Sequence, residues 1–459
     1  MNFRTTAALA GPLALVLGGL LVNNASAVNP LIMDQFTADP TARVFEGRVY
    51  VYPSHDIPHS PGKGRTNWFV MEDYHVFSSA NLTDWTDHGV ILNQTNVPWL
   101  TRYGYDMWAP DCVSKNGKYY FYFPVGGRIG VAIADKPYGP FTPEAKPIEG
   151  ARGIDPCVFL DRDGVAYLYC SMNRIFVAPL KDNLLELASA PVTITNLPQR
   201  GLIEGPFVFE RKGIYYLTYP HVQNGIERLE YATAAHPLGP FTWKGVILDE
   251  SASGCWTVHH SIVEYQGQWY LFYHDRDLSP RFDKNRAIRA DKLFFNEDGT
   301  IQKVIPTLRG VGIVDADKEV QLDRYSAVSP EGTAVSFLNE TNTFAGWKIA
   351  LKAKGAWVQF NEVEFGQRQW KSLKLRCASA TGGTVEVRLD DRAGPLLAKV
   401  EIKPGSDWQV LQAPLARVPA GLHNLIVSQS EGNEVELDWV SFASADQAKP
   451  AAFNNSSAR

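Results

Sequence analysis

The chain has 459 residues, a net charge of −5, and 20% charged against 12% aromatic residues. That length is too great for a single hydrophobic core and calls for at least two domains. The modest acidic balance, with no basic cluster, argues against a nucleic-acid partner, while the 12 Trp, 19 Tyr and 23 Phe suit β structure and flat apolar faces for sugar rings.

In chain order, Arg4 precedes an apolar stretch from Ala7 to Val22, and the small residues Ala25, Ser26 and Ala27 follow. This pattern predicts a signal peptide over 1–27, cleaved before Val28. A membrane anchor is the competing reading, but the run is short for a span and contains several glycines. No other stretch is long and apolar enough to cross a bilayer, so the mature protein is expected to be secreted or periplasmic.

From Val28 to about Asp315 one unit recurs five times, a Gly followed three residues later by Tyr in an aromatic-rich run: GRVYVYPS from Gly47, GKYYFYFP from Gly117, GVAYLYCS from Gly164, GIYYLTYP from Gly213 and GQWYLFYH from Gly267. Each reads as the turn and second arm of a β-hairpin. Repeats of about 50 to 70 residues holding several short strands predict a five-bladed β-propeller. Eight or nine residues before each Gly stand Asp39, Trp108, Asp155, Glu204 and His259. Equivalent positions of five blades converge on one axis, so an acidic, aromatic-walled pocket is expected there. Pro40 and Pro156 follow two of the acids and predict an extended backbone for Asp39 and Asp155. Trp108 reads as a sugar platform, with propeller core as the alternative.

Tyr138-Gly139-Pro140-Phe141 and Leu238-Gly239-Pro240-Phe241 recur at matching places after the second and fourth units. Five cysteines are an odd number for an exported chain. Cys157 and Cys170 flank the turn at Asp163-Gly164 and could face each other as a cross-strand disulfide, or remain buried thiols. A connector is expected near Val314 to Ala327. Beyond it, alternating segments such as Val385-Glu386-Val387-Arg388-Leu389 predict a β-sandwich over about 323–443, followed by a disordered tail over 444–459.

Hydrolysis of a glycosidic bond with inversion needs one carboxylate to deprotonate water and one carboxylic acid to protonate the departing oxygen, and a third carboxylate nearby raises the pKa of the acid. Asp39, Asp155 and Glu204 supply the groups, although spacing alone does not distribute the roles. Asp56 and Asp106 fall in loops at the mouth, where nothing in the sequence separates them from ordinary turn acids.

The segments NPLIMDQFTADP, MWAPD, GIDPCVFLDRDG, LIEGPFVFERKG and HHSIVEYQGQWYLFYH resemble glycoside hydrolase family 43, an inverting propeller family acting on arabinose- and xylose-containing glycans. The resemblance implies Asp39 as general base, Glu204 as general acid and Asp155 as the residue that tunes and orients the acid. It implies that Arg286 contacts the sugar, although Asn285 stands where some relatives have a second Arg. It implies that His259 helps hold a calcium ion or water at the axis; no cofactor is required, and a hydrogen-bonded core His259 is the alternative.

GAWVQFNEVEFG, GGTVEVRLDDRAGPLLAKVEI and GLHNLIVSQSEGNEVELDWVSF are similar to carbohydrate-binding module family 6, a jelly-roll sandwich, with Glu436 where an Asn is usual. The implied activity is α-L-arabinofuranosidase on plant cell-wall polysaccharide such as arabinoxylan, with β-xylosidase as runner-up. A non-catalytic sugar-binding propeller is the alternative from another class.

Overall fold

The computed structural model describes residues 28–198 and 200–444. The expected signal peptide, and all of the expected tail beyond Ser444, lie outside these residues. No α-helix occurs among them; strands and turns carry the fold.

Five separate antiparallel sheets follow one another along the chain. Blade 1 comprises β1 (Ala38–Phe45), β2 (Arg48–Ser54), β3 (Asp73–Ser79) and β4 (Thr86–Asn93). Blade 2 comprises β5 (Asp111–Lys115), β6 (Lys118–Val125), β7 (Arg128–Ala134) and β8 (Thr142–Pro143), and blade 3 β9 (Ile154–Leu160), β10 (Ala166–Ser171), β11 (Ile175–Pro179) and β12 (Val192–Thr193). Blade 4 comprises β13 (Phe207–Arg211), β14 (Ile214–Val222), β15 (Glu227–Ala234) and β16 (Thr242–Leu248), and blade 5 β17 (His260–Tyr265), β18 (Gln268–Asp275) and β19 (Ala287–Leu293). This is the five-bladed propeller expected from the repeat.

The five repeat glycines join the first and second strands of their blades. Four of these turns place both central residues at positive φ: Glu46-Gly47, Asn116-Gly117, Lys212-Gly213 and Gln266-Gly267. Such geometry matches the twist of the flanking strands, and Gly supplies its second position without a Cβ penalty.

The aromatics downstream of each turn fill the seams between blades. Tyr52 and Phe121 share the core of blades 1 and 2, Tyr122 and Leu168 that of blades 2 and 3, and Tyr169, Tyr216 and Leu271 that of blades 3, 4 and 5. The secondary repeat has a bonding role. Tyr52 Oη donates to the Pro137 carbonyl at 2.5 Å and Tyr169 Oη to the Pro237 carbonyl at 2.6 Å, so each Pro-x-Gly-Pro-Phe segment receives a buried phenol from the preceding blade.

Cys157 stands opposite Tyr169, whereas Cys170 stands opposite Phe176. The one-residue offset sends their side chains to opposite faces of the sheet, Cys157 into one seam and Cys170 into another. The disulfide allowed by spacing is therefore not formed, and all five cysteines are buried thiols.

The ring closes through its N-terminal segment. Leu31 N–H donates to the Ile288 carbonyl and Thr37 N–H to the Arg286 carbonyl, both at 2.9 Å, so the segment runs beside the last strand of blade 5. Asn29 clamps the same place, donating to the Ala290 carbonyl at 3.0 Å and accepting from Ala290 N–H at 2.8 Å. Leu31, Ile32 and Trp85 pack there with Phe272 and Ile288. Trp85→Ala is expected to cost about 3–5 kcal/mol, the usual cost of removing a fully buried large aromatic. Urea unfolding of the two proteins checks this; a loss below about 1 kcal/mol would mean that the seam collapses onto the gap.

The C-terminal region is a sandwich of two six-stranded sheets. One includes Trp357–Glu364, Leu422–Gln429 and Gly383–Leu389; the other includes Trp347–Leu351, Val435–Ser444 and Trp370–Ser379. Val314–Asp315 and Val320–Gln321, within the stretch read as a connector, pair with strands of the sandwich. Val28 packs in the sandwich core, and Trp347 of the sandwich packs with Phe36, Leu278 and Ala287 of the propeller.

Candidate active site

The strand ends of all five blades meet in one cavity. Its wall holds Asp39, Trp108, Asp155, Glu204 and His259, the five positions picked out by the repeat, together with Arg286. Trp68, Phe69, Met71, Ile154, Trp256 and Thr257 complete it.

Asp39 and Asp155 reach the cavity by the same device, and it is not an extended backbone. Their φ values are 46° and 54°, which an Asp tolerates better than most residues. In each blade the ladder is irregular at this point, between Ala38 and Thr41 in β1 and between Tyr169 and Ser171 in β10. Such bulges re-aim a side chain next to a site. The last residue of the repeat unit then fixes the acid: Ser54 Oγ donates to Asp39 Oδ2 at 2.7 Å, and Ser171 Oγ to Asp155 Oδ2 at 3.0 Å.

Arg286, just before β19, is buried between two carboxylates. Its Nη1 donates to Asp39 Oδ1 at 2.7 Å and its Nη2 to Asp39 Oδ2 at 3.2 Å. Nε and Nη2 also donate to Asp56, at 3.0 and 3.1 Å, and the Arg286 backbone N–H donates to Asp56 at 2.8 Å. The guanidinium lies 4.5 Å above the Phe69 ring. Burial pushes the Asp39 carboxyl up, but Arg286 and the Ser54 hydroxyl outweigh it and hold the group at about 2. Asp39 is an anion at any ordinary pH.

His274 occupies the position of Ser54 in the fifth unit and has a different task. Its Nδ1 accepts from Asp39 N–H at 3.0 Å, so Nε2 carries the proton and donates to Thr257 Oγ1 at 2.9 Å. Burial, reinforced by Arg286, keeps this imidazole neutral.

The opposite wall favours protons. Burial, with help from the charges of Glu204 and Asp39, pushes Asp155 up to about 7, against the Gly205 N–H that donates to its Oδ2 at 3.0 Å. Gly205 has φ 51°, and a Cβ there would lie 2.8 Å from His259 Nδ1. Only glycine can bring that N–H to Asp155.

Glu204 enters from the loop before β13. Burial, and then the neighbouring Glu227, raise it well above the usual carboxylate range. Glu227 begins β15 and is itself 1% exposed. Its Oε2 accepts from Val258 N–H at 2.8 Å, and its charge opposes ionisation of Glu204. Neighbouring carboxyls resist joint ionisation, so the pair favours one proton, on Glu204.

This yields a prediction with a definite sign. If Glu204 must be protonated to act, the alkaline limb of kcat/KM reports its ionisation. Glu227→Gln removes the negative neighbour, lowers the Glu204 pKa and moves that limb to lower pH. A pH profile of the variant checks this; an unmoved limb would remove Glu227 from the proton balance.

His259 lines the cavity immediately before β17. Calcium takes six to eight oxygen ligands, and no trio of carboxylate, thiolate or imidazole ligands converges at His259 among the described residues. An ion held at His259 would therefore draw most of its ligands from water. His260 is fully buried and approaches Thr218 Oγ1 at 2.6 Å, as a packing residue. Trp108 lines the cavity with its indole. Asp106 stays outside this wall, accepting from Gly126 N–H at 3.0 Å.

Sequence reasoning did not single out Glu227 or His274, and left Asp56 among ordinary acids. His274 ends the fifth unit, where Ser54 and Ser171 end theirs, so the last letter of the repeat was a usable signal. Glu227 lies at no repeat offset, and only the fold brings it to Glu204. In the sandwich, Glu436 is paired with Lys348 at 2.6 Å.

A propeller with one carboxylate held ionised and another held protonated across its axial cavity has the equipment of an acid–base glycosidase. Comparison with known proteins gives the particular family. The model for glycosyl hydrolases family 43 matches residues 28–301 and that for carbohydrate binding module (family 6) matches 327–444; the chain belongs to glycoside hydrolase family 43 and carries a family 6 module.

Xylosidase/arabinosidase 43A of Humicola insolens is 38% identical, over 59% of this chain and 98% of the relative. An arabinoxylan arabinofuranohydrolase of Bacillus subtilis (strain 168) is 29% identical, over 90% of this chain and 92% of its own. Among solved structures, a β-xylosidase/α-arabinofuranosidase from a compost microbial metagenome, in complex with xylotriose and in calcium-free form, has a TM-score of 0.55 at 38% identity, covering 61% of this chain and 98% of that one. The protein is therefore a glycosidase that needs no cofactor for its chemistry.

Proposed function

We propose that this protein is a secreted or periplasmic, inverting, exo-acting α-L-arabinofuranosidase that removes arabinofuranosyl groups from arabinoxylan. The observation that carries the reading is the convergence of the five repeat positions and Arg286 on one cavity with opposed protonation states. Asp39, ionised and fixed by Arg286, deprotonates the attacking water. Glu204, holding its proton against Glu227, delivers it to the departing oxygen from the other side. Asp155, anchored by Ser171 Oγ and the Gly205 N–H, stands beside the acid as the group that tunes and orients it. Trp108 offers a face for the sugar, and Arg286, whose five side-chain N–H groups are given to Asp39, Asp56 and Thr257, holds the base in place on the Asp39 side and does not hydrogen-bond the sugar.

Arabinoxylan as substrate is supported by the relative that spans both domains, whose name is arabinoxylan arabinofuranohydrolase. The leader pattern before Val28 supports export. A β-xylosidase activity is the second reading, favoured by the relatives named xylosidase/arabinosidase; the same acid and base serve either sugar, and the cavity walls choose.

The test is hydrolysis of arabinoxylan and of xylo-oligosaccharides by the full chain, with products identified. Free arabinose from the polymer, with the xylan backbone left intact, is the expected result. Xylose released from oligosaccharide ends without arabinose would transfer the assignment to β-xylosidase. The anomeric configuration of the first-formed product, followed by NMR, checks inversion.

A further inference from the structure

Blade 1 holds a group of side chains that the active-site cavity does not use. His55 follows β2, and Asp73 and His75 lie two residues apart on β3, hence on one face of the strand. One ligand atom from each of the three lies within 4.8 Å of the others. The two imidazole rings meet edge to face with centroids 4.9 Å apart. His55 Nδ1 and Asp73 Oδ1 are 2.7 Å apart.

His75 is already oriented as a ligand. Its Nδ1 lies 3.1 and 3.2 Å from the two oxygens of Asp87, and Asp87 is fixed in turn by Gly89 N–H at 2.7 Å and by the Gln35 amide at 3.1 Å. A carboxylate behind one ring nitrogen fixes the tautomer, makes the other nitrogen more basic and aims it, as in many histidine–metal centres. The alternative is a pair of separate His–Asp contacts, His55 with Asp73 and His75 with Asp87. That alternative explains each pair but not why the two pairs converge, with the rings in contact and Asp73 between strand and loop.

We propose that His55, Asp73 and His75 form a binding site for a divalent transition-metal ion of the zinc or nickel type. Two imidazoles and one carboxylate suit such ions better than calcium or magnesium, which prefer oxygen. His55 and His75 are partly exposed, so water completes the coordination. The ion takes the place of the proton between His55 Nδ1 and Asp73 Oδ1, and binding releases that proton to solvent. Asp56, the next residue after His55, makes three hydrogen bonds to Arg286. A bound ion therefore ties the end of β2 to β3 beside the segment that holds the Asp39–Arg286 pair.

The experiment is calorimetric titration of the EDTA-treated full chain, without a histidine tag, with Ni²⁺ and with Zn²⁺. The expected result is saturable one-to-one binding, weakened at least tenfold in His75→Ala and in His55→Ala and unchanged in His236→Ala, which alters an exposed histidine of blade 4. Thermal unfolding without metal verifies that each variant is folded. If His75→Ala is not, His55→Ala, outside the strand, decides. No saturable binding by the wild type, or wild-type affinity in the folded His variants, overturns the proposal.

Discussion

Asp39→Asn should lower kcat/KM toward arabinoxylan by about 10³-fold, within the range ordinarily lost with a positioned general base. The substitution keeps the shape of the side chain and an acceptor for Ser54 Oγ, and Arg286 keeps all three hydrogen bonds to Asp56. What disappears is the anion held at about 2. Because that group is ionised throughout the working range, the wild-type profile should show no acidic limb from it down to about pH 4. Below that the sign for stability is fixed: a carboxyl whose folded pKa is depressed stabilises the fold above its unfolded value, and this contribution is lost as pH falls from about 4 toward 2. Kinetics and thermal unfolding of the same preparation separate the two effects. A folded Asp39→Asn protein retaining more than a tenth of wild-type activity would remove Asp39 from the role of base.

Glu204→Gln should produce a loss of similar size, about 10³-fold on the polymer, but one that depends on the leaving group. Nitrophenolate departs with little protonation, whereas a xylan hydroxyl needs the proton. The variant should therefore lose much less on nitrophenyl α-L-arabinofuranoside than on arabinoxylan. Equal losses on both substrates would indicate that Glu204 binds or positions the sugar and is not its acid. The variant should also lose the alkaline limb assigned above to Glu204, which Glu227→Gln only displaces. Together the two substitutions distinguish the proton donor from the group that keeps it protonated.

Much of this site could be read from the chain because the propeller repeats. The Gly-to-Tyr unit marks one hairpin per blade, and a fixed step back from it finds Asp39, Trp108, Asp155, Glu204 and His259, all of which line one cavity. Local rules failed where tertiary contacts override them. The Pro following Asp39 and Asp155 predicts an extended acid, yet a bulged ladder turns each to positive φ. Cys157 and Cys170 look symmetric about their turn, but a one-residue register offset puts them in different seams. Glu227 and Asp56 could not be reached by any periodicity. They are defined by whom they touch, Glu204 and Arg286, and those partners are 23 and 230 positions away.

The N-terminal segment that runs beside β19 has a consequence for how the enzyme matures. Asn29 and Ala290 are 261 positions apart, and Asp39 and Arg286 are 247 apart, so the first-synthesised and last-synthesised parts of the propeller meet in the same seam. Contacts of such long range carry a large loop-closure cost and form late. The Asp39–Arg286 pair therefore cannot exist on a nascent chain that still lacks its fifth blade. A ring of assembled but unclosed blades would show full β structure and no turnover, which makes catalytic activity the most sensitive gauge of whether the circle has shut.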